Sequence, residues 1–526
     1  MKKFWLLVIL FVLFLCYVAF FVYPHQEGAL SSTELSLDDL SKVDPQFQEQ
    51  FPIQEVDINN QGRSIFIAFV MLTHVLFANL HLGGSWLAVI TEGFYLKNKK
   101  KRYHLLSKSV TLFNVILFSL GATFAVAGVL FFISLFPVFA SNLFHVYWWP
   151  LFIEAILFAL EIVFLYTFWF SWEKIKPLWH QILGYGYAVS VFFQTLMINM
   201  LAGGMLTPGV KEIKFTASGL MTLSKADAWA MWFNPTLWRL QWHRLFASIS
   251  YIGFVLAMLA VFHFLDRKSQ KDKQYWDWVS SYGLNWGLFG LVIQPFLGFI
   301  YMLKISDVND NAFQFIMHGP RAWEMLLMVG TLTLLFLSVI SFYIERREQI
   351  FSEIENKFIH KMFNWFFWIG LAAGLILIQP AWLNAPFIDD SKAWLNPLGV
   401  MDFKYIALGA LILMGTVTLT IDSLTIADTK ESHWGELSLG SRGSLILSGL
   451  LGIFIVIIMG YVRESARAPW VIYQIIPVPG GAAHPTPIRL ISIFTVWLII
   501  SLLTLSIFWL TSKVTAHHPE KAEEIK

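Results

Sequence analysis

Paired acids and paired histidines stand at seven-residue spacing inside apolar segments of this sequence. Glu154 and Glu161 lie in WWPLFIEAILFALEIVF (148–164), and His74 and His81 lie in an earlier apolar segment. Residues seven apart share one face of a helix, so each pair points in one direction. Because an acidic residue at the centre of a membrane helix costs roughly 3 kcal/mol, the two acids are candidates for function rather than packing. The imidazoles are candidate metal ligands.

Other candidate functional residues lie near the ends of later apolar segments: the possible ligands His243, Met325, Met328 and Glu464, and the possible catalytic residue Arg467. Imidazole and thioether ligands hold low-spin haem iron, whereas a weak or missing axial ligand leaves the iron open to a small gas. Ferric haem also brings positive charge, which lowers the cost of a nearby carboxylate. The set of residues therefore indicates noncovalent haem, with a carboxylate pair passing protons inward to balance arriving electrons.

The composition indicates the class of protein that must position these side chains. Of 526 residues, 57% are hydrophobic and 14% are charged, whereas soluble domains carry about 25% charged residues. The net charge of +2 provides no basic surplus for binding nucleic acid. The single cysteine, Cys16, excludes an intrachain disulfide, a Cys-x-x-Cys zinc site and a Cys-x-x-Cys-His haem attachment site. The chain is predicted to be a polytopic membrane protein whose metal ligands are His, Met or carboxylate.

Segments long enough to cross a bilayer predict an all-α membrane bundle of about 12 transmembrane helices. They lie near residues 4–22, 64–95, 109–138, 148–171, 181–206, 235–265, 278–303, 322–344, 363–384, 404–421, 443–462 and 489–512. Basic stretches such as KNKKKR (97–102) alternate with acidic loops between successive segments. By the positive-inside rule, both termini are predicted to face the cytoplasm, with the bundle in the inner (cytoplasmic) membrane.

Four strings, in chain order, resemble subunit I of the cytochrome bd oxidases, and the resemblance covers roughly 63–345 and 443–512. The strings are HVLFANLHLGGSWLAVITEGFYL (74–96), PLFIEAILFALE (150–161), NPTLWRLQWH (234–243) and ESARAPW (464–470). Any one string is a weak signal, but four in the right order on the right helices are a strong one. The resemblance implies a bd-oxidase-like helical bundle that contains haem.

The resemblance also implies roles for the matched residues. His74 and Glu154 would belong to the site of a haem d or of a further haem b, and Glu161 would lie on a proton route. His81 shares the face of His74 and is a further candidate for cofactor binding, although the family pattern has no counterpart for it. Glu92 matches a family glutamate, but its place beside KNKKKR predicts a side chain that reaches toward that basic loop.

The later strings would supply the other two haems. His243 would hold a low-spin haem b together with Met325 or Met328, which lie one turn apart and are equally placed for that role. Glu464 would hold a high-spin haem b, with Arg467 as a candidate catalytic residue in the same string.

The sequence departs from the family pattern in three places. The two glutamates of PLFIEAILFALE are seven residues apart, where the family has eight, and the loop that carries quinol-oxidising residues in the family is reduced to about 304–320. Additional segments divide the chain into four predicted regions. These are an anchor with an external strap (1–62), bd-like core helices (63–345), two additional helices (346–442) and two last bd-like helices with a cytoplasmic tail (443–526).

Three functions compete on this basis. The favoured one is an oxidoreductase: a bd-like terminal oxidase subunit that passes electrons from a quinol or a periplasmic cytochrome c to oxygen, with protons taken from the cytoplasm. It would work with a homologous second subunit, to which the family can add a small accessory subunit. The second is a haem b electron conduit between quinone and an external redox partner, without oxygen reduction. A transporter is disfavoured because the sequence has no inverted repeat of the kind common in transporters.

Overall fold

The structure is a computed structural model that describes residues 2–22, 60–210, 213–216, 220–266, 270–317, 321–350, 357–379, 401–426, 438–468, 470–477 and 486–516. The predicted external strap lies almost entirely outside these residues.

Helices account for nearly all of the described residues. They are α1 (Lys2–Tyr17), α2 (Asn60–Asn98), α3 (Lys101–Leu135), α4 (Pro137–Val146), α5 (Trp148–Phe170), α6 (Pro177–Leu206), α7 (Lys225–Trp232), α8 (Leu237–Asp266), α9 (Gln270–Val308), α10 (Asp310–Met317), α11 (Ala322–Ile350), α12 (Lys357–Leu377), α13 (Met401–Ile426), α14 (Leu439–Ala466) and α15 (Thr486–Ala516). The end of α1 continues as a π-helical turn, Val18–Val22. Two short antiparallel hairpins pair β1 (Lys214–Phe215) with β2 (Met221–Thr222), and β3 (Trp470–Ile472) with β4 (Ile476–Pro477).

The predicted helical membrane bundle is confirmed. Ten helices of the described residues are long and apolar enough to cross a membrane, and the apolar stretches Lys361–Leu377 and Ile491–Ile507 add two shorter ones. Together these twelve correspond one to one with the predicted segments. The short elements between them, namely α4, α7, α10 and the two hairpins, were not predicted, because they are too short to leave a hydropathy signal.

The described residues divide into two compact units. The first unit comprises Met1–Leu30, Ile249–Phe296 and Ile316–Val462, and the second comprises Ser31–Ser248, Leu297–Phe315 and Arg463–Lys526. In the first unit α11 packs against α1 and α12, and α12 packs against α13. In the second unit α2 packs along α3 and α6, α5 packs along α6, and α15 contacts α2 and α3.

Small residues allow one close helix crossing in the first unit. A Cβ added to Gly253 of α8 would lie 2.2 Å from the backbone nitrogen of Gly287 in α9, and Ser250 donates a hydrogen bond of 2.8 Å to the Gly287 carbonyl. Gly283 is similarly confined, since a Cβ there would lie 2.8 Å from the Gly253 carbonyl oxygen. Backbone contact of this kind supplies van der Waals packing where lipid provides no hydrophobic driving force.

Helix ends in the second unit follow ordinary local rules. Pro137 begins α4 and Pro177 begins α6, the position at which a missing backbone N–H costs nothing. Ser224 caps α7, because its hydroxyl accepts a hydrogen bond from the backbone N–H of Asp227 at 3.1 Å. The turn after α5 places Glu173 with a positive φ of 63°. These ends fix where the polar residues of α5, α6 and α8 fall along the bundle.

Candidate functional site

The first predicted ligand, His74, forms a hydrogen bond through one ring nitrogen, Nδ1, which leaves the other, Nε2, for a possible metal. Its Nδ1 lies 2.9 Å from the carbonyl oxygen of Gly121 in α3. A carbonyl only accepts, so Nδ1 carries the proton and the lone pair stands on Nε2. A hydrogen bond from the distal ring nitrogen to a backbone carbonyl is the usual way in which a metal-binding histidine is oriented.

His81 makes different contacts, although it lies on the same helix face. Its Nε2 is 2.5 Å from Oε1 of Glu161 and 3.0 Å from the hydroxyl of Tyr187. His81, Glu161 and Tyr187 are all buried. In this arrangement the Nε2 of His81 contacts both a carboxyl group and a phenol, and one proton between Nε2 and the Glu161 carboxyl leaves this pair without net charge.

Glu154, the other acid of α5, lies in a more open position. It is half-buried, and its neighbours Ile153 and Ile156 are exposed. The seven-residue spacing therefore places the two acids in unlike surroundings, one paired in the interior and one beside the outer face of the helix.

A second acid–imidazole pair was not expected from the sequence. Nδ1 of His180 in α6 lies 2.5 Å from Oε1 of Glu92, and both side chains are about 4% exposed. The prediction that Glu92 reaches toward the basic loop is wrong, because its carboxylate is buried against this histidine. Nothing in the sequence around His180 indicates its partner, which lies 88 residues away.

The surroundings of His180 require a shared proton. Its Nε2 lies 3.0 Å from the carbonyl oxygen of Phe168 and must donate there, and its ring packs against Phe168 and Trp172 with centroids 4.4 and 4.2 Å away. Nδ1 then either carries a proton toward a Glu92 carboxylate or accepts one from a protonated Glu92. Each state leaves the pair with no net charge, which is the condition for burying an acid at low cost.

An exposed counterpart lies at the turn that follows α5. Nε2 of His104 is 3.2 Å from Oε1 of Glu173, Lys108 is 3.8 Å from the same oxygen, and the His104 ring packs edge-on against Trp172. The hydrogen bond from His104 holds the pKa of Glu173 below its usual range, and Lys108 adds to the effect.

His243 stands in α8 against a glycine and a tyrosine of α9. A Cβ added to Gly298 would lie 3.2 Å from Cε1 of the imidazole, and the Tyr301 ring centroid is 5.9 Å from that of His243. The absence of a side chain at Gly298 is therefore what leaves room for this ring. The two predicted partners, Met325 and Met328, are half-buried and belong to the first unit, whereas His243 belongs to the second. Their pairing with His243 stays a prediction.

Three guanidinium groups, Arg244, Arg463 and Arg467, form what we call the arginine cluster of the second unit. Arg467 pairs with Glu464, which is half exposed, and donates to the Val471 carbonyl. Arg463 donates to the carbonyl of Ala202 at 2.9 Å and acts electrostatically on both of the other arginines. Burial lowers the pKa of Arg467, Glu464 opposes that effect, and Arg463 adds to it.

The charges of this cluster do not balance within the described contacts. Arg463 bonds only to a carbonyl and has a buried Nε without a hydrogen-bond partner, and Nε of Arg467 is likewise unpaired. Arg244 donates to two neutral amides at 2.9 Å each, those of Asn79 and Asn199. Sequence reasoning missed Arg244, although a charged residue inside the predicted span 235–265 met the same criterion as Glu154.

These residues fit haem better than a bare ion. No three side chains of His, Cys, Asp or Glu converge in the described part of the chain, as an ion held by the protein alone would require. Haem needs only one or two axial ligands, and it carries propionates. The Nε2 of His74, left available by the bond of Nδ1 to Gly121, and the unbalanced guanidinium charge agree with such a group.

Fold and site together define a polytopic helical membrane protein with buried acid–imidazole pairs and a cationic cluster beside a candidate metal ligand. Residues 63–313 match the family model of the cytochrome bd terminal oxidase subunit I. This stretch is therefore similar to that family, as the resemblance predicted. It contains His74, Glu154, Glu161 and His243.

Two similar proteins support this assignment. The chain is 25% identical over 219 residues to the "Putative cytochrome bd menaquinol oxidase subunit I" of Bacillus subtilis strain 168, a match that covers 41% of this chain and 47% of that protein. The match thus spans about half the length of the curated relative. The bd oxidase structure from Geobacillus thermodenitrificans is similar in fold, with a TM-score of 0.52 and 14% identity, covering 86% of this chain and 98% of that chain.

Proposed function

We propose that this chain is the haem-binding subunit of a bd-type respiratory oxidase, passing electrons from a quinol to oxygen and taking protons from the cytoplasm. The observation that carries the proposal is the setting of His74: its Nδ1 is occupied by the Gly121 carbonyl, which leaves the Nε2 lone pair for a metal, in the stretch that matches the family. A quinol is proposed as donor because the Bacillus relative is described as a menaquinol oxidase. The haems are proposed to be a low-spin haem b, a high-spin haem b and either a haem d or a further haem b.

In this proposal the protein's side chains do three things. His74 and His243 hold iron through their imidazoles, Glu464 holds the high-spin haem b, and the arginine cluster holds propionates. Glu161 and His81 keep one proton between Oε1 and Nε2, where it balances the charge of an arriving electron. When bound, the haems supply electron transfer and an iron site that is open to oxygen.

The second acid–imidazole pair is proposed as a proton-holding point closer to the basic loop at 97–102. Glu92 lies eleven residues after His81 on α2, which is three helical turns nearer that loop. The pair of Glu92 and His180 carries no net charge, whichever of the two side chains holds the proton. From the family we also propose a partner, namely a homologous second subunit. The proposed location is the inner membrane, with both termini in the cytoplasm.

The decisive experiment is pyridine haemochrome analysis combined with CO difference spectroscopy of the purified complex. We expect haem b and an iron site that binds CO. The variant His243→Ala should lose the alpha band of the low-spin haem, and His74→Ala should lose the CO-binding signal. His145→Ala serves as the matched control, because His145 is an exposed histidine of α4.

Each outcome has a definite reading. A colourless complex would refute the proposal altogether. If the haem binds neither CO nor cyanide, the complex does not reduce oxygen, and the alternative of an electron conduit between quinone and an external partner takes its place. If the complex oxidises a periplasmic cytochrome c but not menaquinol, the proposed donor is wrong and the rest of the proposal stands.

A further inference from the structure

Arg244 is a partly buried cation that the protein solvates with neutral amides. Its Nε donates to Oδ1 of Asn79 in α2, and its Nη1 donates to Oδ1 of Asn199 in α6, both at 2.9 Å. Within the described residues it has no carboxylate partner. The side chain lies in the membrane-crossing helix α8, at the residue that follows His243.

The amide of Asn199 is held in place by further hydrogen bonds, and Oδ1 of Asn79 also accepts a hydrogen bond of 3.5 Å from the Ser248 hydroxyl. The Asn199 side chain donates to Gln241 at 2.7 Å, and Gln241 in turn donates to the Phe192 carbonyl at 3.1 Å. These bonds orient the amide oxygens toward the guanidinium before any ligand arrives. Such a network replaces part of the water around a partly buried cation, but amide dipoles do not neutralise its charge.

Arg244 is placed to act on both imidazoles that are candidate iron ligands in the second unit. It is adjacent to His243 in sequence, and it is close enough to His74 to act on it electrostatically. Asn79 lies on α2 five residues after His74, so the bond to Asn79 ties the guanidinium to the helix that carries that ligand. Arg463 adds positive potential at the same place.

We propose that Arg244 tunes electron transfer: its fixed positive charge raises the reduction potentials of the irons held by His243 and His74. The inference rests on the proposed function. Reduction adds one electron to the iron and lowers its charge by one, and a nearby fixed cation stabilises the reduced form relative to the oxidised form. The effect is large because a membrane interior screens charge weakly.

The test is spectroelectrochemical titration of the purified complex with redox mediators, which reports potentials independently of oxygen consumption. In Arg244→Gln we expect the ratio of reduced to oxidised haem at a fixed solution potential to fall about tenfold, which is 59 mV for a one-electron couple. Arg244→Lys keeps the charge and should stay within about twofold of the original ratio.

A second variant reaches the same end without removing the arginine. Asn79→Asp places a carboxylate against Nε and neutralises the guanidinium, so the ratio should fall as in Arg244→Gln. The matched control is Arg239→Gln, which removes an exposed arginine of the same helix whose described bond goes to the Pro235 carbonyl. It should leave the ratio unchanged.

The outcomes separate this inference from the proposed function. If the unsubstituted complex contains no haem, the proposed function fails. If haem is bound and neither Arg244→Gln nor Asn79→Asp changes the ratio by more than about twofold, Arg244 is only structural and the inference is overturned. Should Arg244→Gln fail to fold, Asn79→Asp measured against Arg244→Lys decides the question alone.

Discussion

The acid–imidazole pairs and the arginine cluster handle buried charge in opposite ways. Each pair, His81 with Glu161 and His180 with Glu92, brings together one acid and one base at 2.5 Å. The arginine cluster brings together three cations with Glu464 as the carboxylate in contact. A pair can therefore be neutral in the protein alone, whereas the cluster has an excess of positive charge within its described contacts. The difference supports the proposal that the first region holds protons and that the second would hold an anionic cofactor.

Removing one partner of an acid–imidazole pair should cause the largest loss of stability among the variants that test this contrast. In His180→Leu the Glu92 carboxylate stays buried without a base, and we expect the free energy of unfolding to fall by about 3 kcal/mol. Unfolding in detergent measures the loss, and it should be the same with and without haem. The double variant with Glu92→Leu should regain more than half of it. A single variant as stable as the double would contradict the account.

Glu161→Gln should separate proton handling from stability in the other pair. The amide oxygen still accepts a hydrogen bond from His81, but the side chain no longer carries a proton. We expect oxygen consumption with menaquinol to fall about a hundredfold, while the free energy of unfolding changes by less than about 1 kcal/mol. Glu173→Gln, which alters an exposed acid, is the matched control and should keep full activity. Full activity in Glu161→Gln would remove this residue from the proton route.

The effect of Arg463→Gln on the free energy of unfolding should have opposite signs with and without the cofactor, which would sharpen the contrast between the two regions. Without haem the substitution removes a buried Nε–H that has no partner and relieves repulsion from Arg244 and Arg467. We therefore expect a gain of about 1 kcal/mol in the free energy of unfolding without haem and a loss of similar size with haem. Thermal unfolding of haem-depleted and haem-loaded protein provides the measurement. The same sign in both preparations would show that the cluster holds no anionic cofactor.

The exposed pair of His104 and Glu173 should have the smallest effect. The pKa of Glu173 is lowered in the fold, so its stabilising contribution is present above its ordinary pKa and is lost as the pH falls through the lowered one. Because Glu173 is half exposed, we expect Glu173→Gln to cost about 0.3 kcal/mol near pH 7 and progressively less as the pH falls through the lowered pKa. Unfolding measured from neutral to acid pH tests this. A cost that does not shrink with falling pH would mean that the hydrogen-bond geometry, not the charge, stabilises the turn.

The sequence by itself determined the class of protein, the membrane-spanning segments and the similarity to a known family. A hydrophobic period and span length are local properties, so twelve segments could be found without any knowledge of their neighbours. The strings around His74, Glu154, Glu161 and His243 were equally local. They predicted a family that the match to residues 63–313 confirms.

Only the tertiary structure decided which buried groups meet. Helical spacing shows that His74 and His81 share a face, but not that one bonds a carbonyl of α3 while the other bonds Glu161, 80 residues away. The same holds for Glu92, whose sequence neighbours favoured the basic loop and whose actual partner is His180. The physical reason is that a helix fixes the direction of a side chain relative to its own axis, whereas the partner depends on how neighbouring helices are rotated and packed.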